Sequence, residues 1–105
     1  MVRGEIFRLT APRRVRGHEQ RGARYAVVVQ ADAMLSAETV LIAPTSRNAR
    51  STSFRPTIDI DGTPTNLLTD QLTAVDLERL GRSAGRLDAA ELAAVDEALR
   101  LVLGL

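Results

Sequence analysis

The sequence predicts an α+β protein, mainly β, with a small and strongly bent sheet or barrel followed by one C-terminal helix. Three observations carry this. Short β-branched runs, "YAVVVQ" (25–30) and "TVLIAPTS" (39–46), are separated by turn-rich stretches. "FRPTIDID" (54–61) alternates apolar and polar residues into a "DG" turn signal. "LDAAELAAVDEALRLVLGL" (87–105) repeats its apolar residues at helical spacing.

In chain order, "GEIFRLT" (4–10) reads as a short strand, with Ile6 and Arg8 alternating around Phe7. Residues 11–23 hold Pro12, Gly17 and Gly22 and read as a loop. "YAVVVQ" has the length and composition of a central strand, and "DAMLSAE" (32–38) reads as one or two helical turns capped by Asp32. In "TVLIAPTS" the missing N–H of Pro44 predicts that the strand stops there or lies at an edge. "SRNARSTS" (46–53) is a polar loop, the "DG" at 61–62 is a tight turn into "TPTNLLT", and "DQLTAV" and "SAGRL" are weaker strand signals. The last segment opens on Asp88 with Glu91 three residues on, the aspartate form of a capping box. Leu92, Val95, Leu99 and Val102 make its buried face. Its polar arc (Asp96, Glu97, Arg100) covers only about 100° of the wheel. Ala94, Ala98 and Leu101 on a second flank point to cover from two sides, with a second subunit as the second cover.

At 105 residues the chain is read as one domain, 1–105, with ordinary apolar and charged fractions of 45% and 26%. Cysteine is absent, which fits a reducing compartment and excludes a disulfide framework or a thiolate zinc site. Charges interrupt the N-terminal stretch "MVRGEIFRLT", so it does not read as a signal peptide, and no apolar run approaches the ~20 residues that span a bilayer. A cytoplasmic protein with no membrane association is expected. The net charge of +1 hides an asymmetry: residues 1–55 carry ten arginines against four acids, and residues 56–105 carry four against nine. Every basic residue is arginine. A genomic bias would produce that pattern, and so would a site for phosphate, onto which arginine forks with paired hydrogen bonds.

The densest charge lies in the loop, where Arg13, Arg14, Arg16, Arg21 and Arg24 face a single acid, Glu19. A solvated basic loop is the plain reading. Against it, Gly17 and Gly22 permit close backbone approach to a phosphate, and Arg24 opens a strand that is otherwise apolar, so its guanidinium projects from a rigid edge. Thr45 and Ser46 after Pro44 read either as turn residues or as hydroxyls at the sheet rim, able to hold a phosphate oxygen or a ribose 2′-OH. His18 is the lone histidine, so no histidine acid–base pair exists. The aspartates of "DID" alternate outward beside a turn, and no metal site or other cofactor is expected. With only Phe7, Tyr25 and Phe54 as aromatics, a nucleic-acid site here must lean on arginine and backbone.

Taken together, "RGEIF" (3–7), "GHEQRGARYAVVVQ" (17–30), "LIAPTS" (41–46) and "DEALRLVLGL" (96–105) resemble the MazF/PemK (Kid) family of toxin endoribonucleases over nearly the whole chain. The resemblance implies an SH3-like (CcdB/MazF-type) β-barrel with a C-terminal helix, a homodimer, metal-independent cleavage of single-stranded RNA, and inhibition by a MazE-like antitoxin. Carried over position by position, it implies Arg24, Thr45 and His18 as catalytic residues. It implies substrate contacts at Glu5, Arg16, Glu19, Gln20, Arg21, Ser46, Phe54, Asp70 and Gln71. The chain departs from the family at three places: Tyr25 stands for a proline, Leu68 for the arginine of the PemK branch, and "QLTAVD" (71–76) lacks an arginine. Two other classes share these features: a CcdB-type toxin acting on gyrase, whose usual C-terminal tryptophan is missing from "VLGL", and a binding module without catalysis.

Overall fold

The computed structural model describes residues 1–10, 24–35 and 38–105. Seven antiparallel strands and one α-helix occur among them: β1 (Glu5–Leu9), β2 (Tyr25–Val28), β3 (Thr39–Ser46), β4 (Thr57–Ile60), β5 (Thr63–Leu67), β6 (Thr73–Asp76), β7 (Leu80–Arg86) and α1 (Ala89–Leu103). The sheet is curled, in the order β4-β5-β3-β2-β1-β7, and β6 also pairs with β3. The loop read at residues 11–23 lies outside the described residues, as do the last turn residues 36 and 37 of "DAMLSAE".

Strand β2 is the centre because both of its faces are apolar. Val27 and Val29 enter one core with Ile6, Ala43, Ile58, Ile60, Leu67, Leu87, Val95 and Leu99. Ala26 and Val28 enter a second with Val40, Ile42 and Val75, flanked by Phe7, Leu9, Leu35, Leu77 and Leu80. Such two-sided burial explains why "YAVVV" runs on without polar alternation.

β3 departs from the sequence expectation in an informative way. Pro44 neither stops the strand nor lies at an edge. One edge of β3 pairs with β2 through Ala26↔Pro44, Val27↔Ala43 and Val28↔Ile42. The other edge serves two partners in turn, β6 from Thr39 to Ile42 and β5 at Thr45 and Ser46. Pro44 falls between them, and its carbonyl accepts from the Leu68 N–H at 2.8 Å. The absent N–H therefore points into the gap between two partners, where it leaves no ladder bond unmade.

The remaining turns follow the chemistry of their residues. Asp61 and Gly62 both hold positive φ (51° and 83°), the backbone of a two-residue hairpin between β4 and β5. Asp32 does not cap its turn; Asp32–Met34 is a single 3₁₀ turn, and the Asp32 carboxylate accepts from the Arg3 N–H at 2.6 Å.

Helix α1 forms as the sequence predicts. The Asp88 side chain accepts from Glu91 N, and Glu91 Oε1 accepts from Asp88 N at 2.9 Å. Glu91 Oε2 accepts in addition from Asp59 N at 2.7 Å, which ties the start of the helix to edge strand β4. Its far flank is held by Arg3, whose Nε donates to Val29 O at 2.9 Å and whose Nη2 pairs with Asp96 at 2.8 Å. Gly104 ends the helix in the left-handed conformation (φ 70°) that glycine adopts without strain. Ala98 is buried in the chain's own core, so it belongs with Val95 and Leu99, while Ala94, Leu101 and Leu105 stay exposed. Asp88→Ala should lower the unfolding free energy by about 1 kcal/mol, read as a shift in the urea midpoint at unchanged m-value.

Candidate active site

Helix α1 covers only part of the sheet face that carries the larger core. Beyond its reach the same face continues as an open cleft of about 480 Å³, lined by Arg24, Tyr25, Thr45, Ser46, Arg47, Asn48, Asp61, Thr63, Thr65, Leu68 and Gln71 among others. Alternation explains the lining. Tyr25 follows Val27 and Val29 on one face of β2, and Thr63 and Thr65 share a face of β5 with buried Leu67. The core face thus grades from apolar to polar along each strand.

Arg24 and Thr45 meet at one end of this cleft. The β2–β3 register, stepped once beyond Ala26↔Pro44, sets Tyr25 beside Thr45. The Thr45 hydroxyl donates to the Tyr25 carbonyl at 3.0 Å. Arg24 is anchored through its own carbonyl, which accepts from Leu9 N at 2.8 Å, while its side chain is exposed. Among the described residues the Arg24 guanidinium makes no hydrogen bond or ion pair. It is a permanent cation with five N–H donors.

The two hydroxyls differ in what they have left to offer. A carbonyl can only accept, so the Thr45 proton is committed to Tyr25 and its oxygen keeps acceptor capacity alone. Ser46 Oγ accepts from Ala49 N at 3.0 Å, so its O–H remains free to donate. The loop that carries Arg47 and Asn48 is braced beneath by Asn66, whose Nδ2 donates to Ala49 O at 2.6 Å and whose Oδ1 accepts from Thr57 at 2.9 Å.

Other residues singled out in the sequence lie elsewhere. Gln71 lines the cleft at the end of a 3₁₀ turn (Thr69–Gln71), but its neighbour Asp70 is absent from the lining and forks onto Arg55. Arg55 Nε and Nη2 reach the two Asp70 oxygens at 2.9 and 2.8 Å. Phe54 is half-buried under the Arg55 guanidinium, 5.6 Å from ring centroid to charge, and does not line the cleft. Glu5 sits three residues along β1 from Arg8, the partner of Tyr25, hence about 10 Å away. Its carboxylate accepts from Val2 N at 3.2 Å and from the Ser83 hydroxyl at 2.8 Å. Arg16, His18, Glu19, Gln20 and Arg21 lie outside the described residues. The sequence reading passed over Tyr25, Arg47, Asn48, Asp61, Thr63 and Thr65. Face periodicity could have found Tyr25, Thr63 and Thr65, since each continues a buried row; nothing local marks Asn48 or Asp61.

No group of three or more His, Cys, Asp or Glu side chains that could hold a metal occurs among the described residues, and no helix among them is long and apolar enough to cross a membrane.

Comparison with known proteins places the chain among relatives. The family described as PemK-like, MazF-like toxin of type II toxin–antitoxin system matches residues 2–103. A Mycobacterium tuberculosis protein assigned as a toxin is 37% identical over 106 residues, covering 100% of this chain and 99% of the relative. Endoribonuclease MazF9 of the same organism is 36% identical over 118 residues, covering 100% and 98%. The fold is shared with a mycobacterial endoribonuclease solved in complex with its cognate antitoxin (TM-score 0.79, 19% identity, 100% and 96% covered).

The Arg55 fork holds the Asp70 carboxyl below its usual range, chiefly through the side-chain hydrogen bonds, against an opposing cost of desolvation. A carboxyl whose folded pKa is depressed stabilises the fold fully above its unfolded value and loses that contribution as pH falls through the folded one. Asp70→Asn should therefore lower the denaturation midpoint by a constant amount from pH 8 to 5, and the gap to the parent protein should close below about pH 4.

Proposed function

The chain belongs to the PemK-like, MazF-like toxin family of type II toxin–antitoxin systems, and from that premise we propose that it is a metal-independent endoribonuclease that cuts single-stranded RNA at preferred sequences in the cytoplasm. The observation that carries the reading is the convergence of Arg24, a guanidinium without a partner among the described residues, and an acceptor hydroxyl, Thr45, on one cleft. Support for RNA cleavage also comes from the relative named Endoribonuclease MazF9.

In the proposed reaction the 2′-OH before the scissile bond attacks its own phosphorus. The new O2′–P bond forms and the P–O5′ bond breaks, leaving a 2′,3′-cyclic phosphate and a 5′-OH; the proton lost from O2′ is balanced by one delivered to O5′. Arg24 neutralises the charge that grows on the phosphorane oxygens, where a fixed donor acts most strongly. Thr45 accepts from the attacking 2′-OH and holds it in line, because its own proton already belongs to Tyr25. Ser46 donates its free O–H to a phosphate oxygen. An arginine is a poor base, so the proton passes through His18, the chain's single histidine and the side-chain type best suited to move one. The family resemblance adds Arg16, Glu19, Gln20 and Arg21 as substrate contacts, and Gln71 addresses a base edge in the cleft.

A MazE-like antitoxin would silence the enzyme by laying an acidic segment over the same cations. Ala94 and Leu101, exposed on one flank of α1, with Leu105 exposed just past its end, support a homodimer in which a second copy covers that flank.

Purified protein incubated with a long single-stranded RNA in EDTA should yield fragments with cyclic-phosphate ends. Arg24→Ala should lower the cleavage rate by about 10²–10³ with the fold intact by circular dichroism. A single 2′-deoxy nucleotide at the cut site should stop turnover while binding persists, and continued cutting there would refute the mechanism. RNA retained but left whole by the parent protein would make the chain a binder.

A further inference from the structure

Asp70 and Arg55 have no place in the lining of the cleft, yet they form the one bidentate ion pair among the described residues. What they hold is the turn that ends in Gln71. Residues 68–71 are tied down at successive positions. Leu68 N donates to Pro44 O at 2.8 Å, the buried Thr69 hydroxyl donates to Phe54 O, and Asp70 is forked by Arg55. Gln71 N then closes the turn on Leu68 O at 2.9 Å. Within this turn only Gln71 has a polar side chain with no partner among the described residues, and it lines the cleft. Arg55 belongs to the segment entering β4, so the fork extends past the end of the β4–β5 pairing, where Leu67 N still donates to Pro56 O at 2.9 Å, and carries the link on to the turn.

We propose that Arg55 and Asp70 are positioning residues for RNA recognition: the fork sets the 3₁₀ turn Thr69–Gln71 and so aims the Gln71 amide at one base of the bound strand. This rests on the ribonuclease reading above and reassigns Asp70 from touching substrate to acting through Gln71. The chemistry favours it. Both Asp70 oxygens already accept from a planar cation, and the pairing keeps the carboxylate ionised, so its charge is matched to Arg55 rather than presented in the cleft, whose lining it does not join. A side-chain amide is a two-way reader, donating and accepting on adjacent atoms, and it discriminates bases only when its plane is fixed. Arginine is required because a lysine cannot fork.

The test compares Arg55→Gln, Arg55→Lys, Asp70→Asn, the Arg55→Gln/Asp70→Asn double variant and Gln71→Ala on one single-stranded RNA, with cut sites mapped and rates measured. The expected result is a loss of roughly ten- to a hundredfold in kcat/KM for Arg55→Gln and for Asp70→Asn, since small misplacement is costly. Cut-site preference should blur in both, the double variant should be no worse than the poorer single, and Arg55→Lys should fall between. In a Gln71→Ala background Arg55→Gln should add nothing. The inference is overturned if Arg55→Gln cuts at the same sites and rate as the parent, or if its penalty persists without Gln71. It is equally overturned if Asp70→Asn alone is impaired, which would return Asp70 to the substrate. Arg55→Lys serves where Arg55→Gln fails to fold. If the parent protein cuts no RNA, the ribonuclease reading fails by itself, and the side-chain amide resonance of Gln71 still decides: a shift in Arg55→Lys supports the fork, and an unchanged resonance overturns it.

Discussion

One edge of a single strand organises this molecule. β3 must pair with β6 over its first half and β5 over its second, and the handover takes place at Pro44. An ordinary residue there would direct an N–H into the space between two partners, with the cost of an unmet donor. Proline has none. Its carbonyl instead takes the Leu68 N–H, and that contact brings the segment 68–71 alongside the end of β3. Thr45, Ser46 and Gln71 become neighbours as a result, although more than twenty residues separate the hydroxyls from the amide along the chain. The bend that closes the sheet and the meeting of the cleft's polar groups are one event.

A second division follows from how the helix is fixed. Glu91 binds the backbone of β4 and Arg3 joins Val29, just past the end of β2, to Asp96, so α1 lies over one portion of the curved face and cannot slide along it. Under the helix, where Val95 and Leu99 point in, the sheet face is Val27, Ala43 and Leu67; past its edge the rows continue as Tyr25, Thr45, Thr65 and Thr63. Strand alternation that elsewhere builds core here builds a polar wall, with no change in backbone direction. Rigid strands rather than loops thereby carry Thr45 and the root of Arg24.

Much of this was legible in the chain. Helix α1 was, down to the Asp88–Glu91 box, because capping is local and the apolar period is long. So was the turn at Asp61–Gly62, whose positive φ values few other pairs adopt. Pro44 was misread because a missing N–H is informative only once both neighbours are known, and β3 has three. Asp32 was misread for a related reason: its carboxylate found a backbone donor twenty-nine residues away rather than the one next door. In the site, Arg24, Thr45, Ser46 and Gln71 could be named beforehand by resemblance to a family. Tyr25 and Thr65 could have been reached by periodicity but were passed over. The Arg55–Asp70 fork could not, since nothing in either residue's surroundings in sequence indicates the other.

The cations that face the cleft among the described residues are arginines, and the protein contains no lysine. A guanidinium keeps its proton at any pH a cell reaches. With no ε-amine present, acetyl transfer offers no means of erasing the side-chain charge either. Neither acidity nor acylation can dim such a surface, which leaves occupancy as the way to mask it: something of opposite sign must sit on it and stay there.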